Sequence, residues 1–98
     1  MYPYYRPLPP VNPDQFASSA KEMEQVLKEG RTITKKVEDS TSFASSLMTA
    51  AQQSNYEEVK RLIKTLAVSS KVDVTFTPDS LKVKLNRQDS KLTLTYRW

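Results

Sequence analysis

The side chains in this sequence that can do chemistry are carboxylates, lysines, arginines, hydroxyls and tyrosines, because histidine and cysteine are both absent. Without thiol or imidazole there is no disulfide, no thiolate nucleophile, no soft-metal site and no imidazole acid or base near neutral pH. Serine is plentiful, but no G-x-S-x-G elbow surrounds one. A single glycine, Gly30, excludes the glycine-rich loops in which a phosphate meets backbone N–H groups. Carboxylate pairs remain, Glu22 with Glu29 and Glu57 with Glu58, and both sit among lysines on segments that read as solvated helix faces. No EF-hand-type acidic loop offers oxygens to a hard cation. The expectation is a protein that is not an enzyme, with no metal and no cofactor; a carboxylate-only site is the one catalytic reading left open.

Interaction chemistry is better represented. The net charge of +4 is unevenly spread: residues 14–67 balance eight basic against eight acidic side chains. Residues 70–98 carry Lys71, Lys82, Lys84, Arg87, Lys91 and Arg97 against Asp73, Asp79 and Asp89. A basic, threonine-rich surface there can meet phosphates or acidic proteins, or can simply be solvated. The first 13 residues hold five of the six prolines and three of the five tyrosines. Proline fixes φ and lacks an N–H, so residues 1–12 are expected to form an extended arm. Its Tyr2, Tyr4 and Tyr5 suit sticky or cross-linked contacts, with packing on the domain surface as the alternative. Arg6-Pro-Leu-Pro-Pro10 resembles the start of an SH3 ligand, although Asn12 stands where the last proline should be. The candidate interaction residues are Tyr2, Tyr4, Tyr5, Lys82, Lys84, Lys91 and Arg97.

Residues 13–98 must position these groups, and they read as one α+β domain. With 38% hydrophobic residues in a chain of 98, the core must use nearly every large apolar side chain. Asn12-Pro13 is a helix start. Phe16, Ala20, Met23, Leu27, Gly30, Thr34 and Val37, widened by Val26 and Ile33, then recur at helical spacing and predict a long helix over 13–38. Gly30 either ends that helix early or admits a close neighbour; the unbroken phase favours the second. Further helices are predicted over 41–53 and 55–67, the last opened by Asn55 with Glu58 in a capping-box arrangement. Beyond Ser70 the period drops to two. Val72, Val74 and Phe76, then Leu81, Val83 and Leu85, then Leu92, Leu94, Tyr96 and Trp98 mark strands over 71–77, 81–86 and 91–98. These form a three-stranded antiparallel meander with helices on one face and two open edges, and Trp98 is expected to be largely buried.

The order of these segments resembles a known family. A Tyr/Pro arm ends in Pro9-Pro-Val-Asn-Pro-Asp-Gln-Phe16 and is followed by Leu47-Met-Thr-Ala-Ala-Gln-Gln-Ser-Asn-Tyr-Glu-Glu-Val-Lys-Arg-Leu-Ile63. Lys71-Val-Asp-Val-Thr-Phe-Thr-Pro-Asp79 and Leu92-Thr-Leu-Thr-Tyr-Arg-Trp98 complete the pattern. It is similar to the small inner spore coat proteins of endospore-forming bacilli, the YuzC type. That resemblance implies a structural, spore-associated component with no active site to carry over.

The leading reading is thus a structural or assembly protein, plausible in a spore coat. Its partners are other proteins: further copies of itself or other coat proteins. The alternative is a small binding module, either a protein adaptor or a weak nucleic-acid binder using the strand face. No secretory signal is visible in the first 13 residues and no apolar stretch is long enough to span a membrane, which suggests cytoplasmic synthesis.

Overall fold

In the computed structural model, which describes residues 11–98, three helices precede three strands. They are α1 (Asp14–Asp39), α2 (Thr41–Gln52), α3 (Tyr56–Lys64), β1 (Lys71–Phe76), β2 (Ser80–Asn86) and β3 (Lys91–Arg97). The Tyr/Pro-rich residues 1–10, with Tyr2, Tyr4 and Tyr5, lie outside the described residues.

Local chemistry sets the helix boundaries. Asn12 Oδ1 accepts from the Asp14 N–H at 3.0 Å, and Pro13 already has helical dihedrals, so asparagine cap and proline entry work together. Ser40 ends one helix and starts the next. Its extended backbone donates to Lys36 O at 3.0 Å, while its Oγ accepts from the Phe43 N–H at 3.2 Å. Asn55 Oδ1 caps α3 by accepting from the Glu58 N–H at 3.1 Å. The reciprocal half of a capping box does not form, because Glu58 turns its carboxylate to Arg61 instead, with contacts of 2.7 and 2.6 Å. The Asn55 N–H bonds Ala50 O, closing α2 with Ser54 in the left-handed region at φ 54°. Ala67, also left-handed at φ 61°, turns the chain out of α3, and the helix therefore stops at Lys64, short of residue 67.

The sheet has strand order β1-β2-β3, antiparallel throughout. Its inner face is built in rows: Val72–Leu85–Leu92, Val74–Val83–Leu94 and Phe76–Leu81–Tyr96. All three helices lie on this side, α1 along β3 and α3 against β1, with α2 packed against both other helices. Val26, Ile33, Leu47, Val59, Ile63, Val83 and Leu85 form the centre of the core.

The long helix is unbroken at Gly30 because the glycine faces the sheet at close range. A Cβ there would stand 2.9 Å from Leu92 Cδ2 and 3.4 Å from Leu94 Cδ2. The buried seam of α1 is narrower than its sequence stripe. Met23, Val26, Gly30, Ile33 and Val37 pack inward, whereas Phe16 and Leu27 are 81% and 51% exposed, Ala20 is exposed, and Thr34 lies at the seam's margin, exposed but hydrogen-bonded to the Tyr96 hydroxyl at 2.8 Å. Length explains the difference at the N-terminal end. A helix of 26 residues is about 39 Å long, whereas a strand of seven spans about 23 Å, so the first turns of α1 overhang the sheet.

Trp98 packs against the core, as expected, but is not the last residue of β3. The strand ends at Arg97. The half-buried indole folds over the β1–β2 turn, where its Nε1–H donates to Thr77 O at 3.1 Å and its backbone N–H to Asp79 O at 3.1 Å.

Candidate interaction surfaces

With every described helix on one side, none of the described elements covers the outer face of the sheet. Strand alternation places Lys71, Asp73 and Thr75 of β1, Lys82 and Lys84 of β2, and Lys91, Thr93, Thr95 and Arg97 of β3 on it. The register brings the charges into one field: Asp73 lies opposite Lys84, and Lys84 opposite Thr93. Thr75, Lys82 and Thr95 form the next row. Lys91 and Arg97 stand at opposite ends of β3, roughly 20 Å apart, and each is the diagonal neighbour of a β2 lysine on the same face, Lys91 of Lys84 and Arg97 of Lys82. Asp73 is the one acidic residue on this face, and its carboxylate is approached by Asn86 Nδ2 at 3.5 Å. Among the described residues the ion pairs join Lys35 to Glu38 and Asp39, Lys60 to Glu57, Arg61 to Glu58, and Arg87 to Glu29. None of the five cations on the sheet face takes part. Among the described residues this surface is a charge field without internal partners, flanked by the backbone edges of β1 and β3, which no described strand pairs.

Of the carboxylates expected on solvated faces, Glu57 and Glu58 do lie on one, but Glu22 and Glu29 behave otherwise. Glu29 is only 3% exposed. Its Oε2 accepts from Gln25 Nε2 at 2.8 Å, from Ser69 Oγ at 2.8 Å and from the Ser69 N–H at 3.2 Å; its Oε1 accepts from the Ser70 N–H at 3.2 Å. Arg87 Nη1 stands 4.0 Å away and also donates to Ser69 Oγ at 3.1 Å. Burial pushes the carboxyl pKa up, but hydrogen bonds from Ser70, Gln25 and Ser69 outweigh it and hold the value at about 2. Glu29 is thus a buried anion that clamps the α3–β1 connection onto α1. Glu22 does a related task at the other end, its Oε1 accepting from the Asp89 N–H in the β2–β3 turn at 3.2 Å. Nearby, Ser90 Oγ donates to Ser19 O at 2.7 Å. Both carboxylates of this pair hold loops in place; neither faces open solvent as a free acid. Apart from Gln25, one turn before Glu29, their donors lie 40 or more residues away in sequence, so helix-face reasoning had no means of finding them.

A third feature combines three elements. Met48 and Ala51 of α2, Tyr56 of α3, Phe76 of β1, Pro78 of the turn and Trp98 line a cleft of about 450 Å³. Tyr56 stacks on Phe76 with ring centroids 4.3 Å apart and planes at 20°. Phe76 and Trp98 are tilted at 51° with centroids 6.4 Å apart. Met48 and Tyr56 remain 40% and 45% exposed. Sequence reasoning assigned Phe76 and Trp98 to packing and passed over Tyr56. The available signal was periodicity, since Tyr56 continues the Val59 and Ile63 stripe one turn earlier.

Among the described residues no helix is long and apolar enough to cross a membrane. A family model described as YuzC spore coat inner layer protein matches residues 13–95. A Bacillus subtilis (strain 168) protein, named as uncharacterized protein YuzC, is 32% identical over 101 aligned positions. The alignment covers 100% of this chain and 83% of that relative. No solved structure matches.

Proposed function

The chain belongs to the YuzC spore coat inner layer family, and from that premise we propose that it is a non-catalytic structural component that holds coat proteins together. The observation that supports this most directly is the outer face of the sheet. Among the described residues, a three-stranded sheet with one face covered, five cations outside any ion pair on the other and two edges that no strand pairs presents a large adhesive surface for a small protein. Lysines and arginines interspersed with threonines suit an acidic protein partner. The charges steer the encounter and the edges can add a strand. The aromatic side chains of the strands point inward, where they cannot stack on bases, so a nucleic-acid platform fits less well.

The test is made in sporulating cells of an endospore former. A tagged chain should fractionate with the coat and be released only when the coat is extracted. The triple change Lys82→Glu, Lys84→Glu and Lys91→Glu should leave the purified protein folded, with unaltered circular dichroism, yet reduce its retention in the coat. Recovery of the unaltered chain solely from the spore core would refute the coat role. Full retention of the triple variant would remove the sheet face from it.

A further inference from the structure

We infer that the aromatic cleft receives the proline-rich segment Arg6-Pro-Leu-Pro-Pro10 of a second copy of this chain, joining copies head to tail. This rests on the assembly reading above and names the contact that would carry it. The cleft has the chemistry of a proline-segment receptor. Stacked Tyr56 and Phe76, the tilted Trp98 ring and the exposed Met48 give flat apolar walls against which pyrrolidine rings lie well. Proline-rich chain has no internal hydrogen bonds, so its carbonyls need donors, and the Tyr56 hydroxyl and Gln52 amide on the rim can supply them. Exposed Asp79, next to Pro78 of the lining, suits the one charge of the segment, Arg6.

Reach decides that the segment comes from another copy. Helix α1 runs beside β3 in the same direction, with Ser19 meeting Ser90, Gly30 meeting Leu92 and Leu94, and Thr34 meeting Tyr96. The cleft belongs to the far end, because Phe76, Leu81 and Tyr96 share a row. From Pro13 to the level of Thr34 the helix covers about 30 Å. The six residues from Pro13 back to Pro7 span at most about 22 Å even when fully extended. A chain therefore cannot place its own Pro7–Pro10 run in its own cleft. A segment at one end and a receptor at the other form a heterologous pair, which propagates into open chains of copies and does not close into a two-fold dimer.

Complementing variants test this. One chain begins at Val11 and keeps the cleft; the other keeps the segment and carries Met48→Lys and Tyr56→Lys, both at exposed positions. In sedimentation, the intact chain should grow with concentration into species without a fixed size. Each variant alone should be monomeric, and their equimolar mixture should stop at a one-to-one pair. Trp98, the only tryptophan, reports locally. A synthetic Met1–Pro10 peptide added to the chain beginning at Val11 should change its emission saturably. Replacing Pro7, Pro9 and Pro10 of the peptide by alanine should weaken binding at least roughly tenfold. An intact chain that stays monomeric, variants that assemble as the intact chain does, or an indole blind to the peptide would each overturn the inference. Retention in the coat despite such a result would leave the structural role standing and place its contacts on the sheet.

Discussion

Titrating the buried Glu29 should expose the clamp between α1 and the α3–β1 connection as a pH-dependent part of stability. The carboxyl pKa is 4.5 in its ordinary state and about 2 in the fold. A folded-state value below the unfolded one means that the unfolded chain binds the proton more readily, so acid favours unfolding. The contribution is complete above about pH 4.5 and is lost as pH falls through about 2. A difference of that size corresponds to about 3 kcal/mol, at about 1.4 kcal/mol per pH unit. Urea unfolding between pH 7 and pH 2 measures it, with Glu29→Gln as the reference. The amide has nearly the same shape but carries no charge, and it turns an NH₂ toward donors where an oxygen had accepted. Glu29→Gln should be less stable than the unaltered protein by about 2–3 kcal/mol at pH 7, and the two curves should converge near pH 2. Other carboxylates, Glu58 beside Arg61 among them, contribute equally to both proteins and cancel in the difference. Parallel curves over the whole range would refute the reasoning, because they would mean that Glu29 ionises alike in the folded and unfolded chain.

Three further outcomes follow from local geometry. At Gly30, alanine meets only the flexible tips of Leu92 and Leu94 and regains helix propensity, so Gly30→Ala should change stability by less than about 1 kcal/mol. Gly30→Val has no room for its extra methyls and should lose about 2–3 kcal/mol by chemical denaturation; equal effects would mean that α1 does not approach β3 this closely. Ala67→Gly should stabilise the protein by about 0.5–1 kcal/mol, because its φ of 61° strains an L side chain more than the added chain entropy costs; a loss in thermal unfolding would refute this. Trp98→Ala should cost about 2–3 kcal/mol, less than the about 3–5 kcal/mol of a fully buried tryptophan, and an unchanged denaturation midpoint would show that the indole does not hold the β1–β2 turn.

Much of this architecture was legible in the order of residues, and the reason is that its signals are local. Asn12, Ser40 and Asn55 are short polar side chains at helix starts, and each finds its backbone donor within three residues. The change of apolar period from helical spacing to alternation after Ser70 fixes both the sheet and which face is inward. That alternation also places Lys82, Lys84, Lys91 and Arg97 together on the outer face without knowledge of any contact.

Only the tertiary structure decided the rest. Periodicity marks which side of α1 is apolar but not how much of its length the sheet can cover. Phe16 is exposed for that reason, because the strands are shorter than the helix. Left-handed turns usually signalled by glycine fall at Ser54, between α2 and α3, and at Ala67, between α3 and β1, where packing of the flanking elements overrides local preference. The aromatic cleft exists only once α2, α3, β1 and Trp98 converge. Glu29 shows the limit most clearly. A glutamate among lysines on a helix reads as solvated, and nothing nearby in sequence says otherwise. Its burial becomes favourable only when Ser69 and Ser70, folded back from some 40 residues away, bring N–H and hydroxyl donors to the charge.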